Sequence, residues 1–177
     1  RVAVPVGCQY RSPARRNRFY RDLEDAEVSQ HVGCAFCLVA TQSRDVSYRL
    51  SLAEIALRQI EAEQRDDPAR PSARTYSFDG NALYPIIEDL LTGIVERGLD
   101  ACTITGMLRV DQFLRLRPRI ERLLPRLKKA GHALRLLSMG AESFSPEENE
   151  RFNKGLRVEQ LVEAHEHGVL HRDLKPE

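Results

Sequence analysis

The chain has 177 residues, 42% of them hydrophobic and 30% charged, proportions that suit one soluble globular domain with room for a sizeable core. With 27 Lys and Arg against 26 Asp and Glu, the net charge of +1 supplies no long-range field for binding nucleic acid or a membrane surface. No run reaches the roughly 18 to 20 apolar residues of a membrane span, and the N-terminus lacks the charged, apolar, small-residue order of a secretion signal, so a cytoplasmic protein is expected.

Residues 1–26 carry the basic cluster "RSPARRNRFYR", which reads as a solvated segment or linker because like charges close together stay in water. A strand is expected over residues 27–33, followed at once by "GCAFC". The four cysteines, Cys8, Cys34, Cys37 and Cys102, are too few and too unevenly placed for a disulfide scaffold, so the close pair Cys34 and Cys37 points to metal binding or redox chemistry. His31, Cys34 and Cys37 are also spaced for zinc, with Cys8 as a fourth ligand. A thiol–disulfide couple or two buried free thiols fit the same spacing. Cys102, inside an apolar strand, is expected to be core.

From about residue 50 two periods alternate. Leu52, Ile55, Ala56 and Ile60 share a helical face; "DDPARPSAR" then breaks the helix, and "RTYSFDG" reads as a short strand ending in a turn. Leu83, Ile86, Ile87, Leu90, Leu91, Ile94 and Val95 form the longest clean helical stripe. "LDACTITGML" follows as a buried strand that Gly106 is expected to end. Phe113, Leu116, Ile120, Leu123, Leu124 and Leu127 make another helical stripe, with a kink or break predicted at Pro118 and Pro125. "HALRLLSMG" is again a strand. The order strand, helix, strand, helix, strand calls for a parallel sheet with right-handed crossovers.

Ligands collect at the carboxyl ends of such strands. "GCAFC", "FDGN" at 78–81 and "GAES" at 140–143 all fall there and are expected to converge, although Gly80 and Gly140 also suit simple tight turns. Ser145 with "PEENE" reads as a capped helix start, its carboxylates facing the positive end of the helix dipole.

These segments, with "LSMGAESFSPEENERFNKGLRVEQLVEA" as the most specific, resemble the radical S-adenosylmethionine superfamily over about residues 27–164, especially members that carry a cobalamin-binding domain ahead of the radical domain. The resemblance implies an α/β fold, an incomplete parallel (β/α) partial barrel of which about four strands are present here, with a core over residues 27–160. It implies a 4Fe-4S cluster held by three thiolates, whose open iron binds S-adenosylmethionine and cleaves it reductively to a 5'-deoxyadenosyl radical. On that pattern Cys34 and Cys37 are cluster ligands and Phe36 lies beside the adenine. Asp79, Gly80 and Asn81 belong to the cofactor-binding segment, the latter two near the methionine amino group, and Glu142 or Ser143 faces the ribose or methionine moiety. Gln30 stands where the family places its first cysteine, so Cys8 is the candidate third ligand. An electron donor such as flavodoxin or ferredoxin, a small-molecule or peptide substrate, and cobalamin through a missing domain are the implied partners.

The tail "HEHGVLHRDLKPE" resembles the catalytic loop of a Ser/Thr protein kinase, with Asp173 and Lys175 at the positions of that family's proton acceptor and phosphoryl contact. The sequence holds no G-x-G-x-x-G, so residues 161–177 are expected to be non-functional as a kinase. His165, His167 and His171 read as exposed or turn histidines. The chain opens on Arg1 and stops inside this motif, so a fragment is expected. A zinc-stabilised binding domain and a kinase fragment remain the alternatives from other classes.

Overall fold

Helix formation after residue 50 is signalled by Ser51, whose hydroxyl accepts the Glu54 main-chain N–H at 3.1 Å, the usual way of satisfying an orphan donor at a helix start. In the computed structural model, which describes residues 10–24, 30–35, 51–67, 74–78, 83–138 and 143–167, this helix, α1, spans Leu52–Asp66 and buries Ala53, Ala56, Leu57, Ile60 and Gln64. The remaining elements follow as β1 (Arg74–Ser77), α2 (Ile87–Glu96), β2 (Cys102–Met107), α3 (Val110–Lys129), β3 (Ala133–Ser138), α4 (Pro146–Arg151) and α5 (Val158–Glu166).

The three strands form one sheet in the order β1-β2-β3, parallel throughout. α1 packs on α2, α2 on α3, and α3 on α5. Ile60, Leu83, Leu90, Ile94 and Ile104 are completely enclosed and form the centre of a single apolar core. Cys102 belongs to that core, as its setting in the sequence suggested; burial pushes its thiol up to about 11.

Three local expectations need correction. Residues 30–33 do not join the parallel sheet: Val32 makes an isolated antiparallel bridge with Pro13, and the chain leaves extended geometry at Gly33, whose φ is 92°. Among the described residues the sheet therefore has three strands. Gly106 lies inside β2 rather than ending it; a Cβ there would come within 2.8 Å of Leu83 Cδ2 and 3.2 Å of Leu83 Cβ, so glycine is present to let the 83–86 turn close onto the sheet. Finally, the break expected at Pro118 and Pro125 does not occur, since α3 spans both as one helix. Neither proline can donate to the carbonyl four residues back, but Phe113, Leu116, Ile120 and Leu127 bury one stripe of the helix and hold both halves on the same core.

Candidate functional site around Cys34

The chain leaves β2 through Leu108 and reaches Arg109, the N-cap of α3. Its main-chain N–H donates to Gln112 Oε1 at 3.0 Å, so the backbone does the capping and the side chain turns elsewhere. That side chain is only 7% exposed. Its Nε donates to Asp111 Oδ1 at 2.9 Å, Nη2 to the Lys154 carbonyl at 2.6 Å, and Nη1 to Cys34 Sγ at 3.5 Å. The ring of Tyr10 lies 3.9 Å from the guanidinium carbon, a cation–π contact in a desolvated place. Burial pushes the Tyr10 hydroxyl upward, so it stays neutral at ordinary pH.

Cys34 is itself buried and its loop is held by main-chain bonds on both sides. Gly33 N–H donates to the Ser12 carbonyl, Ala14 N–H to the His31 carbonyl, and Ala35 N–H to the Phe152 carbonyl, all within 2.8–2.9 Å. His31 Nε2 donates to the Cys34 carbonyl at 2.8 Å. Asn153 then ties the loop to the far end of the chain: its amide donates to the carbonyls of Gly33 at 2.6 Å and Ser12 at 3.0 Å, while its Oδ1 accepts from Asn17 at 3.2 Å. Asn153 adopts φ 50°, a left-handed conformation that asparagine tolerates better than other side chains.

The "NKG" triplet acquires a physical meaning here. Asn153 clamps the Cys34 loop, the Lys154 carbonyl takes the Arg109 guanidinium, and Gly155, at φ 64°, leaves room for Tyr10, whose hydroxyl would lie 2.5 Å from a Cβ at that position. A cleft of about 340 Å³ opens alongside, lined by Tyr10, Arg16, Asn17, Asn149 and Asn153 among others. Asn149 is 1% exposed and donates to the Ser143 carbonyl at 2.7 Å.

Of the residues expected to hold the cluster or S-adenosylmethionine, Cys34 and Ser143 are described. Ser143 Oγ accepts the Ser145 N–H at 3.0 Å, just ahead of α4, where Ser145 caps the helix through Glu148 N–H and Pro146 occupies the first turn. Cys8, Phe36, Cys37, Asp79, Gly80, Asn81 and Glu142 lie outside the described residues. Phe78, preceding Asp79, donates its N–H to the Thr105 carbonyl at 2.9 Å just past β1, and "GAES" follows β3. Among the described residues no three His, Cys, Asp or Glu side chains come together as a metal site. His165 and His167 are exposed on the end of α5, and His171 with the rest of the kinase-like stretch from 168 onward lies outside the described residues.

Arg109, Tyr10, Asp111 and Asn153 are the site neighbours that sequence reading missed. A charged residue immediately after a buried strand, as in "GMLRVD", was the available signal for Arg109. No family model, curated protein or solved structure matches the chain. The geometry around Cys34 and the motif pattern therefore bear the functional reading between them. No helix among the described residues is long and apolar enough to cross a membrane.

Proposed function

We propose that this chain is part of a radical S-adenosylmethionine enzyme, an incomplete parallel (β/α) barrel that holds a 4Fe-4S cluster through Cys34, Cys37 and Cys8. The observation that carries the reading is the buried Cys34 thiol, held beside the carboxyl end of a parallel sheet by a loop that the "NKG" segment clamps. That is the side on which α/β sheets assemble their ligand sites.

The one described member of the donor set fits the group. A cluster needs thiolate sulfur shielded from water and steadied by hydrogen bonds, and Cys34 Sγ is buried and accepts from Arg109. When bound, the cluster would supply the electron that cleaves the sulfonium of S-adenosylmethionine, giving methionine and a 5'-deoxyadenosyl radical that abstracts hydrogen from substrate. The chain's own contribution is placement. Asn153, His31 and the Phe152 carbonyl fix the Cys34 loop; Arg109 donates to its sulfur, and Tyr10 lies against the guanidinium. Phe36, between Cys34 and Cys37, the stretch Asp79, Gly80 and Asn81, and Glu142 with Ser143 are assigned to S-adenosylmethionine. A low-potential donor such as flavodoxin or ferredoxin would deliver the electron, and a cytoplasmic setting keeps the thiols reduced. Substrate choice, and any cobalamin, would belong to parts of the parent protein beyond this core.

Anaerobic reconstitution of the purified chain, with iron, sulfide and zinc analysis and a visible spectrum, tests this directly. About four iron and four sulfide per chain are expected, lost in Cys34→Ala, with Cys8→Ala assigning the third ligand in the same way. Zinc bound without sulfide, or no metal uptake at all, rejects the cluster and turns the reading to a zinc-held or metal-free binding domain.

A further inference from the structure

The outer side of α3 carries a row that repeats every seven residues: Arg115, Pro118, Arg122, Pro125 and Lys129, all exposed. Steps of three and four residues keep these positions on one face of a helix. That face lies away from Phe113, Leu116, Ile120 and Leu127, which are buried. Arg119 and Arg126 stand one row nearer α2, paired with Glu88 at 3.0 Å and Glu96 at 3.9 Å. Arg115, Arg122 and Lys129 have no carboxylate partner among the described residues. Three uncompensated cations thus follow one another at intervals of about 10.5 Å, on a chain whose net charge is only +1. The prolines between them weaken a helix interior and face solvent, which points to a use outside the chain's own core.

α5 presents the complementary row. Glu159, Val162 and Glu166 follow the same spacing, are exposed, and lie away from the buried Leu161 and Ala164. Val162 is 45% exposed. Glu163 is held 3.8 Å from Arg117 of α3, whereas Glu159 and Glu166 have no basic partner among the described residues. We propose that the outer faces of α3 and α5 form a two-fold interface between two copies of this chain. Glu159 and Glu166 of each copy meet the row Arg115, Arg122 and Lys129 of the other, and Val162 packs on the prolines of that row. Both rows advance about 10.5 Å per seven residues, so charges in register at one end stay in register at the next. α3 and α5 pack side by side within the chain, and a single two-fold axis between them makes both pairings at once. Glu88, Glu96 and Glu163 flank the cationic row and repel a broad polyanion such as duplex nucleic acid or an anionic membrane; an acidic row one helix wide avoids them. The two rows are present whether or not Cys34 holds a cluster.

Sedimentation velocity of the full chain over a concentration series, with a reductant present to keep thiols from cross-linking copies, tests this. A dimer is expected at low salt, with dissociation roughly tenfold easier at ~0.5 M salt, where exposed charges are screened. Arg122→Glu, Glu159→Lys and Glu166→Lys are each made and checked for folding by circular dichroism. A two-fold interface makes every contact twice, so Arg122→Glu and the glutamate variant that faces it should each dimerise roughly tenfold or more weakly, because like charges then meet in both places. Arg122, at the middle of its row, faces Glu159 or Glu166 in either register. Mixing Arg122→Glu with each glutamate variant should therefore restore wild-type association in one of the two mixtures, where the reversed pair and a native pair coexist. Should Arg122→Glu not fold, Arg115→Glu replaces it together with Lys129→Glu, and one of these two must weaken the dimer. A wild-type chain that stays monomeric at every concentration overturns the proposal. So does a dimer indifferent to salt and to every reversal, or one that no mixture restores.

Discussion

His132 is a buried titratable group whose chemistry is determined by its neighbours. Its Nδ1 accepts the Cys102 main-chain N–H at 3.2 Å, which places the proton on Nε2. That Nε2–H is buried and has no partner among the described residues. Burial lowers the folded-state pKa of His132, so the unfolded chain takes up the proton first. Its effect on stability is absent above the unfolded value of about 6.5 and grows as pH falls from there toward the depressed folded value. Denaturant midpoints taken from about pH 7.5 to about pH 5 should therefore decline. His132→Asn, whose amide oxygen can still accept from Cys102, should show a shallower decline; an unchanged slope would remove His132 from the account. None of this was legible in "AGHALR", since the acceptor role depends on Cys102, thirty positions away in the chain and adjacent only across the sheet.

The element scale is governed by the competition between local rules and burial. Pro118 and Pro125 each argue locally for a break, and α3 overrides both because its apolar stripe is continuous. Both prolines are exposed, so their rings support no core contact. Pro118→Ala should consequently stabilise the fold by about 2 kcal/mol, the cost of a helix-interior proline less the gain it brings by restricting the unfolded chain. Chemical denaturation measures this, and a change near zero would mean that the helix is interrupted there after all. Gly106 shows the opposite balance. Its place inside β2 is set by the approach of Leu83, a contact that a strand-ending rule for glycine has no means of anticipating.

At the scale of the whole molecule, two kinds of adhesion hold different parts together. The apolar cluster draws on residues from Ala53 to Ala164 and includes none from residues 10–35. That N-terminal region is attached instead by polar bonds to the chain around α4 and its exit: Asn153 to Gly33 and Ser12, Ala35 to Phe152, Tyr20 to the Arg151 carbonyl, and the Arg18–Glu150 pair at 2.8 Å. Net hydrogen bonds are worth about 1 kcal/mol each and exposed ion pairs less, whereas the sheet and its helices open only with the core. Native-state hydrogen exchange should therefore show Ala14, Gly33 and Ala35 amides opening in a step of lower free energy than Ile104 in β2. Equal protection at both places would mean that the Cys34 loop is part of the core's cooperative unit.

The sequence by itself determined the alternation of strands and helices after residue 50, the capped start at Ser145 and the core position of Cys102, because each depends on periodicity or on a neighbour within a few residues. The tertiary structure alone decided that Val32 pairs with Pro13 outside the sheet, that α3 passes through its prolines, and that Arg109, Tyr10 and the "NKG" segment meet at Cys34. The physical reason is range. Hydrophobic periodicity is written locally along the chain, while the partner of a buried guanidinium, an asparagine amide or a thiol is chosen by which loops the sheet brings to one end, and that choice leaves no mark at the spacing of a helix or a strand.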